Sequence, residues 1–213
     1  MDKQKELGKV AQEVEVCRTC SLAKSATHPV PGNGNPNAEI MLIGEAPGYW
    51  EDQKGIPFVG VAGKLLDELL ASIDLSREKV FVTNVLKHRP PNNRDPSPEE
   101  VKVCQPFLER QINVIQPKVI ITLGRFAMYH FLPLGKISRD HGQGKVIESA
   151  GQRLILIPMY HPAAALRAGE VNRQLKEDFK NIPAEVKRLG KSLNSPAGPE
   201  EKKPDKEEQL TLI

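Results

Sequence analysis

The sequence predicts an α/β protein, folded as a three-layer α/β/α sandwich around a central four-stranded, mostly parallel sheet. Four short apolar runs supply the strands, at 39–43, 80–83, 118–123 and 153–157. They lack a clean alternation of apolar and polar residues, which is typical of strands that are buried on both faces. Helical segments lie between the runs, and this order of elements favours two helical layers around a parallel sheet.

Local patterns predict the helices. The segment 63–73 places its leucines on one stripe at helical spacing. Ser97 precedes a proline and lies three residues before Glu100, which is the pattern of a helix N-cap with its capping-box partner. We therefore expect a helix from Pro98 to about Val114. Two more helices are expected, one from residue 124 onward and one over 171–189.

Composition predicts one folded body and a tail. Hydrophobic residues make up 39% and charged residues 27% of the 213 residues, so we expect one globular domain over 1–190. The segment 191–213 is rich in Pro, Glu, Lys and Ser, which predicts disorder. No apolar stretch reaches the ~20 residues of a membrane span, and the N-terminus lacks a signal-peptide core. A cytoplasmic protein without membrane association is expected.

Three polar side chains follow the ends of predicted strands. Glu45 follows the first run, Asn84 the second and His161 the fourth. Because ligands bind beyond the carboxyl ends of parallel strands, we expect these side chains at one rim. Each has a simpler interpretation, as a helix-capping acid, a turn-capping amide or a loop histidine. Their coincidence at one edge favours a functional site.

These residue types fit the recognition and cleavage of a planar polar ring. The Asn84 amide offers a donor and an acceptor in one plane, and His161 can donate to an oxygen that becomes negatively charged. The Glu45 carboxylate can hold a water molecule or stabilise a positive sugar. Phe58 could stack on the ring, with ordinary core packing as the alternative.

Three blocks of the sequence resemble the family 4 uracil-DNA glycosylases. They are GEAPGYWEDQKGIPFVGVAGKLLDELL, VTNVLKHRPPNNRDPSPEEVKVC and YHPAAALR, and the resemblance covers roughly residues 10–185. It implies a uracil-DNA glycosylase-like fold and a monofunctional hydrolase of DNA repair. Such an enzyme cleaves the N-glycosidic bond of deoxyuridine in single- or double-stranded DNA and leaves an abasic site. We expect it to act as a monomer, associated with the nucleoid.

The resemblance also implies roles for individual residues. Glu45 and His161 would be catalytic, and the uracil-binding set would be Gly44, Glu45, Ala46, Phe58, Asn84 and His161. The family usually carries two bulky residues after the histidine, whereas this chain has Ala165 and Leu166. The apolar wedge into the base stack would therefore be Leu166 alone, with Arg167 on a phosphate. Comparable turnover on single- and double-stranded DNA is expected.

The three cysteines suggest a cofactor site. Cys17 and Cys20 form a C-x-x-C pair, and Cys104 is distant in sequence. The resemblance implies a [4Fe-4S] cluster, with His88 standing where the family carries another cysteine. The expected ligands are therefore Cys17, Cys20, His88 and Cys104. A structural zinc ion is the second interpretation, and a partly lost site is the third.

Three further functions are alternatives. A uracil-trapping relative of family 4 also has a histidine at the cluster position, but it carries a basic insert that RPPNNRDPSPEE lacks. The other two are a non-catalytic nucleic-acid-binding module with the same fold and a generic α/β enzyme that acts on a small nucleotide.

Basic residues in the predicted rim loops are candidates for phosphate contacts, with solvated surface charge as the alternative for many of them. They are Lys87, Arg89, Arg94, Arg125, Arg139, His141, Lys145 and Arg167.

The C-terminal peptide resembles the short motifs that bind bacterial replication clamps. Its expected contacts are Gln209, Leu210, Leu212 and Ile213. Such short motifs also arise by chance, so a terminus without function is the alternative. The pattern nevertheless predicts a sliding-clamp tether at the end of the tail.

Overall fold

The computed structural model describes residues 2–193 of the chain. The strands are β1 (Asn33–Gly34), β2 (Ile40–Gly44), β3 (Phe81–Asn84), β4 (Val119–Leu123), β5 (Lys145–Ser149) and β6 (Gln152–Met159). They form one sheet in the order β1-β3-β2-β4-β6-β5. The central strands β3, β2, β4 and β6 run parallel, and the two edge strands pair antiparallel. The four predicted strands are thus the parallel centre of a larger, mixed sheet.

The helices surround this sheet. They are α1 (Lys3–Val16), α2 (Leu22–Ser25), α3 (Tyr49–Lys54), α4 (Val61–Ala71), α5 (Pro98–Ile115), α6 (Arg125–Tyr129), α7 (Ile137–Asp140), α8 (Pro162–Ala165) and α9 (Gly169–Leu193). Helices α4, α5, α6 and α9 correspond to the four predicted segments. The capping box of α5 forms as predicted, because Ser97 and Glu100 each accept the other's main-chain N–H. Helix α9 continues past residue 190, where the folded body was expected to end. Within residues 2–193, no helix is long and apolar enough to cross a bilayer.

Each face of the sheet packs against its own apolar core. On β2, Leu42 points into one core, and Met41 and Ile43 point into the other. Helices α4 and α9 cover the first face through residues such as Leu66 and Phe179. Helices α1 and α5 cover the second face. This alternation confirms the predicted three-layer sandwich.

The edge strands β1 and β5 correct the expected strand count from four to six. Strand β1 is an Asn-Gly dipeptide, a composition that favours a turn. It pairs because Gly34 lets the backbones approach, since a Cβ at Gly34 would lie 2.2 Å from the Val80 carbonyl oxygen. Strand β5 is only partly buried and lacks a continuous apolar run. Neither edge strand carries the signal of a buried parallel strand.

Candidate active site

The ends of the parallel strands gather the predicted site residues. Gly44 and Asn84 are partners in the β2–β3 register, and Glu45 follows Gly44 directly. His161 lies beyond the end of β6 and close to Gly124, which follows β4. A Cβ at Gly124 would lie 3.2 Å from the Cβ of His161. The structure therefore places Glu45, Asn84 and His161 at one rim of the sheet.

Asn84 presents an unbonded acceptor in a buried position. Its side chain belongs to a residue that is 1% exposed, and no protein donor within residues 2–193 reaches Oδ1. A Cβ at Gly44 would lie 2.4 Å from this oxygen and 2.6 Å from Cζ of Phe58. The missing side chain at Gly44 thus keeps the space between Asn84 and Phe58 open. A buried acceptor without a donor costs about 1–3 kcal/mol, which points to a donor on a ligand.

Lys87 supports Asn84 from inside the fold and does not face the solvent at the rim. Its fully buried ammonium donates to Thr83 Oγ1 at 2.7 Å and to the Asn84 carbonyl oxygen at 2.8 Å. A third bond, also 2.8 Å long, goes to Gln111 Oε1. The expected phosphate contact of Lys87 is therefore wrong, because its cation is consumed inside the fold. Lys87 positions the strand end that carries Asn84.

Two charged residues hold the loop that carries Phe58, whose backbone is left-handed with φ 53°. The Glu51 carboxylate accepts the N–H groups of the next two residues of this loop at 2.8 and 2.9 Å. Arg77 donates to the Phe58 carbonyl oxygen at 2.6 Å. The Phe58 ring is buried and lies nearly parallel to the His161 ring, with centroids 5.6 Å apart. Phe58 therefore forms one wall of the open space.

His161 is held in one tautomer. It caps α8, and its Nδ1 accepts the N–H of Ala163 at 3.0 Å, so the proton of the neutral ring sits on Nε2. Burial lowers the pKa of His161 to about 4, although the charge of Glu51 raises it in part. At neutral pH the ring is therefore an uncharged hydrogen-bond donor.

Glu45 carries the opposite shift. Burial raises the pKa of its carboxyl to about 7, and the nearby charge of Asp95 adds to the increase. Arg125, which forms an ion pair with Asp95, lowers it in part. A carboxyl with a pKa near the working pH can accept a proton from water.

The cysteines and His88 meet at one corner of the fold. Cys104 is buried with Leu22 and Leu86, and both Cys20 and Ala46 pack against this small cluster. The Cys104 sulfur accepts the main-chain N–H that immediately precedes His88 in the chain. All three cysteines are free thiols.

These donors suit a thiolate-rich metal or cluster site. Burial raises the pKa of Cys104, and charges on Cys20 and Cys17 raise it further. Burial also lowers the pKa of His88, so its ring is the neutral form that ligates metals. Within residues 2–193, however, no three such groups are already arranged around a common metal position.

Most of the residues that were expected to contact phosphates are instead paired with acidic residues of the protein. The ion pairs are Arg94–Glu100, Arg125–Asp95, Arg139–Asp140, Lys145–Asp140 and His141–Asp178. Leu166 is 46% exposed at the end of α8, and Arg167 follows it at the surface. The predicted clamp-binding residues Gln209, Leu210, Leu212 and Ile213 lie outside the described residues.

Sequence reasoning missed three residues that position the site. Glu51 and Arg77 bond to main-chain groups 9 and 19 residues away, and the buried role of Lys87 depends on Gln111, which is 24 residues away. No periodicity or motif marks such contacts. Only the folded backbone reveals them.

The sequence of this chain is similar to those of known proteins. The family model of the uracil DNA glycosylase superfamily matches residues 31–183. A type-4 uracil-DNA glycosylase from Archaeoglobus fulgidus is 50% identical over 181 residues, covering 83% of this chain and 91% of the relative. The type-4 enzyme from Thermotoga maritima is 41% identical, covering 85% and 95%. A type-5 enzyme from Thermus thermophilus is 30% identical, covering 76% and 80%. Together with the strand-end site, these matches show that the chain belongs to the type-4 group of the uracil-DNA glycosylase superfamily.

Proposed function

We infer that the protein is a DNA-repair glycosylase that hydrolyses the N-glycosidic bond of deoxyuridine in DNA. It releases uracil and leaves an abasic site for base excision repair in the cytoplasm, at the nucleoid. The observation that carries this inference is the buried, unbonded Oδ1 of Asn84, which faces the space that Gly44 keeps open. The names of the type-4 relatives support it.

Asn84 selects uracil through complementary hydrogen bonds. Its Oδ1 accepts the N3–H of the base, and its amide nitrogen donates to O4. Cytosine exchanges both partners, because its N3 is an acceptor and its N4 is a donor. Binding cytosine would leave the Asn84 acceptor facing another acceptor in a buried site, and this mismatch rejects the base.

Glu45 and His161 divide the chemistry of hydrolysis. The bond between C1′ and N1 breaks with its electron pair on uracil, which leaves a positively charged sugar. The neutral His161 donates from Nε2 to O2, where negative charge develops. Glu45 stabilises the sugar cation and accepts a proton from the water that attacks C1′. The uracil anion then takes up a proton at N1.

Uracil in a duplex must leave the base stack before it can reach this buried pocket. Leu166 is a large exposed apolar residue five positions after His161, with α8 joining the two. We assign Leu166 as the wedge that fills the vacated stack and Arg167 as a phosphate contact. The enzyme acts as a monomer.

A [4Fe-4S] cluster is the cofactor we propose, with Cys17, Cys20, His88 and Cys104 as its ligands. The support is the three neighbouring thiols, the neutral imidazole beside them and the iron–sulfur character of the family that the sequence resembles. When bound, the group would supply a structural cross-link between the N-terminal segment and the loop after β3. Iron and sulfide analysis with a visible absorption spectrum tests this. A colourless protein with one zinc ion per chain would overturn it.

Release of free uracil from a U-containing oligonucleotide tests the function. We expect release by the full chain and a loss of at least about 100-fold in Asn84→Ala and His161→Ala. Asn113→Ala, an exposed asparagine on α5, is the matched control and should retain activity. No release by a cluster-replete preparation would favour a non-catalytic module. A protein–DNA adduct that survives denaturant would favour the uracil-trapping alternative.

A further inference from the structure

Two aromatic side chains at the start of α3 are exposed to solvent. Tyr49 is 50% and Trp50 is 54% exposed, and their rings meet edge to face with centroids 5.1 Å apart. The mechanism proposed above uses neither ring. Large exposed aromatic pairs are uncommon on folded proteins and mark binding surfaces.

Trp50 lies on the Phe58 side of the uracil pocket. A Cβ at Gly60 would lie 3.3 Å from Cδ1 of the Trp50 ring. Gly60 is two residues after Phe58, and Glu51 holds its N–H. The Phe58 ring in turn borders Gly44 and the open space beside it. The indole is therefore part of the rim, just outside the pocket.

Arg89 adds a cation to the aromatic pair. Its guanidinium carbon lies 5.2 Å from the centroid of the Tyr49 ring, and its Nε donates to Asn93 Oδ1 at 2.8 Å. No carboxylate within residues 2–193 forms an ion pair with Arg89. Most of the other arginines expected at the rim are paired with acids. This arginine therefore keeps its charge available for an anion.

Exposed aromatic faces beside an unpaired arginine match the chemistry of a single nucleic-acid strand. Bases stack on the rings, and the cation binds the phosphate between them. An apolar peptide would leave the arginine unpaired at the interface. The charge pattern thus selects a nucleotide as the occupant.

We propose that the Trp50 ring, held edge to face by Tyr49, forms a stacking subsite for the nucleobase adjacent to the flipped deoxyuridine, with Arg89 binding the intervening phosphate. This proposal rests on the proposed function, since it requires uracil-containing DNA in the pocket. The subsite holds a neighbouring base that has lost its stacking partner. It thereby adds binding energy on single-stranded DNA, where no opposite strand is present to be wedged.

The chain offers a direct probe, because Trp50 is its one tryptophan. The experiment titrates the full chain with a single-stranded oligonucleotide whose deoxyuridine carries a 2′-fluorine, which slows cleavage by destabilising the sugar cation. We expect tryptophan emission to fall on binding. The fall should disappear when the bases flanking uracil are replaced by abasic spacers, whereas free uracil should not cause it.

Steady-state kinetics on single-stranded DNA provides the second measurement. Trp50→Ala should raise KM about tenfold with kcat little changed, and Trp50→Phe should restore most of the affinity. Leu134→Ala, another exposed apolar residue, is the control and should change neither constant. Unchanged emission with intact flanking bases, while the same protein excises uracil, would overturn the subsite alone. Failure of every variant and the parent chain to release uracil would instead overturn the proposed function.

Discussion

Glu45 and His161 face the same rim with opposite pKa shifts, and both shifts follow mainly from burial. Burial disfavours charge, so the carboxyl holds its proton to higher pH and the imidazole loses its proton at lower pH. The result is a site in which the donor is neutral and the proton acceptor is poised near neutrality. Burial thus prepares both the proposed hydrogen-bond donor, His161, and the proposed proton acceptor, Glu45.

This pairing predicts the pH dependence of uracil release. Below about pH 7 Glu45 is protonated and cannot accept a proton from water, so kcat/KM should rise roughly tenfold per pH unit up to that value. Above it the rate should level off. His161 stays neutral across this range, so its titration should not add a second change of slope to the pH–rate profile. A pH–rate profile tests this, with Glu45→Gln as the slower, pH-independent comparison. A flat profile for the parent chain between pH 5 and 8 would contradict the role of Glu45.

The sequence predicts Glu45, Asn84 and His161 because a topological rule applies to them: parallel strands end at one edge. Lys87 follows no such rule. Lysine is rarely buried unless it is fully bonded, so its position in the chain suggested a surface contact. The Lys87 ammonium supports Asn84 by bonding to Thr83 and Gln111 inside the fold. The bond to Gln111 exists only because α5 packs beside the end of β3.

At the scale of elements, the N-terminus of α5 joins local and distant contacts. Glu100 completes the capping box with Ser97 and also accepts two bonds from Arg94. Its side chain further accepts from Ser21, which follows the C-x-x-C pair. A local motif that sequence alone predicts therefore also anchors the segment that carries Cys17 and Cys20.

Glu100→Ala should lower the free energy of unfolding by about 2 kcal/mol at pH 7, because it removes both the capping box and the hydrogen bonds that Arg94 and Ser21 donate to this buried carboxylate. Glu99→Ala, its exposed neighbour, should cost less than about 0.5 kcal/mol. Arg94 holds the pKa of Glu100 below its usual range. The contribution is therefore present above the unfolded-state pKa and is lost as pH falls through the lower folded-state value. Urea denaturation at pH 7 and pH 3 measures the difference, and equal effects at both would contradict it.

Helix α8 carries the other element-scale prediction. His161 is the N-cap of this short helix and Leu166 is its C-cap, so α8 fixes the position of the proposed wedge relative to the donor. Leu166→Ala should reduce kcat/KM on double-stranded DNA about tenfold and leave the rate on single strands nearly unchanged, because only a duplex needs its stack refilled. The parent chain should show comparable turnover on the two substrates. An equal loss of kcat/KM on single- and double-stranded DNA would contradict the wedge and would instead give Leu166 a general role in DNA binding.

For the whole molecule, the parallel centre of the sheet could be predicted, whereas its edges could not. Buried central strands require continuous apolar runs, and the four runs are visible in the sequence. The edge strand β1 is set by the close approach of Gly34 to Val80, which is a property of two backbones. The cluster ligands Cys17, Cys20, His88 and Cys104 were predicted by resemblance. The structure packs Cys20 against Cys104 at one corner of the fold.

The folded body and the tail predict separable functions. A chain that ends at Leu193 keeps every described element, so it should excise uracil from oligonucleotides at the parent rate. Deleting 209–213 should abolish binding to the replication clamp of the same organism while excision is retained. Co-migration of the clamp with each chain in gel filtration measures this. The proposed clamp-binding role of residues 209–213 would be contradicted if the full chain did not bind the clamp, or if the shortened chain still bound it.

The unbonded Oδ1 of Asn84 has a consequence after the bond is cut. Free uracil keeps the same N3–H and O4, so the pocket that selects the damaged base also retains the released one. Departure of the base requires the buried acceptor to lose its donor again, at a cost of about 1–3 kcal/mol. The proposed role of Asn84 therefore predicts that free uracil inhibits the enzyme. It also predicts that turnover depends on how fast free uracil is removed.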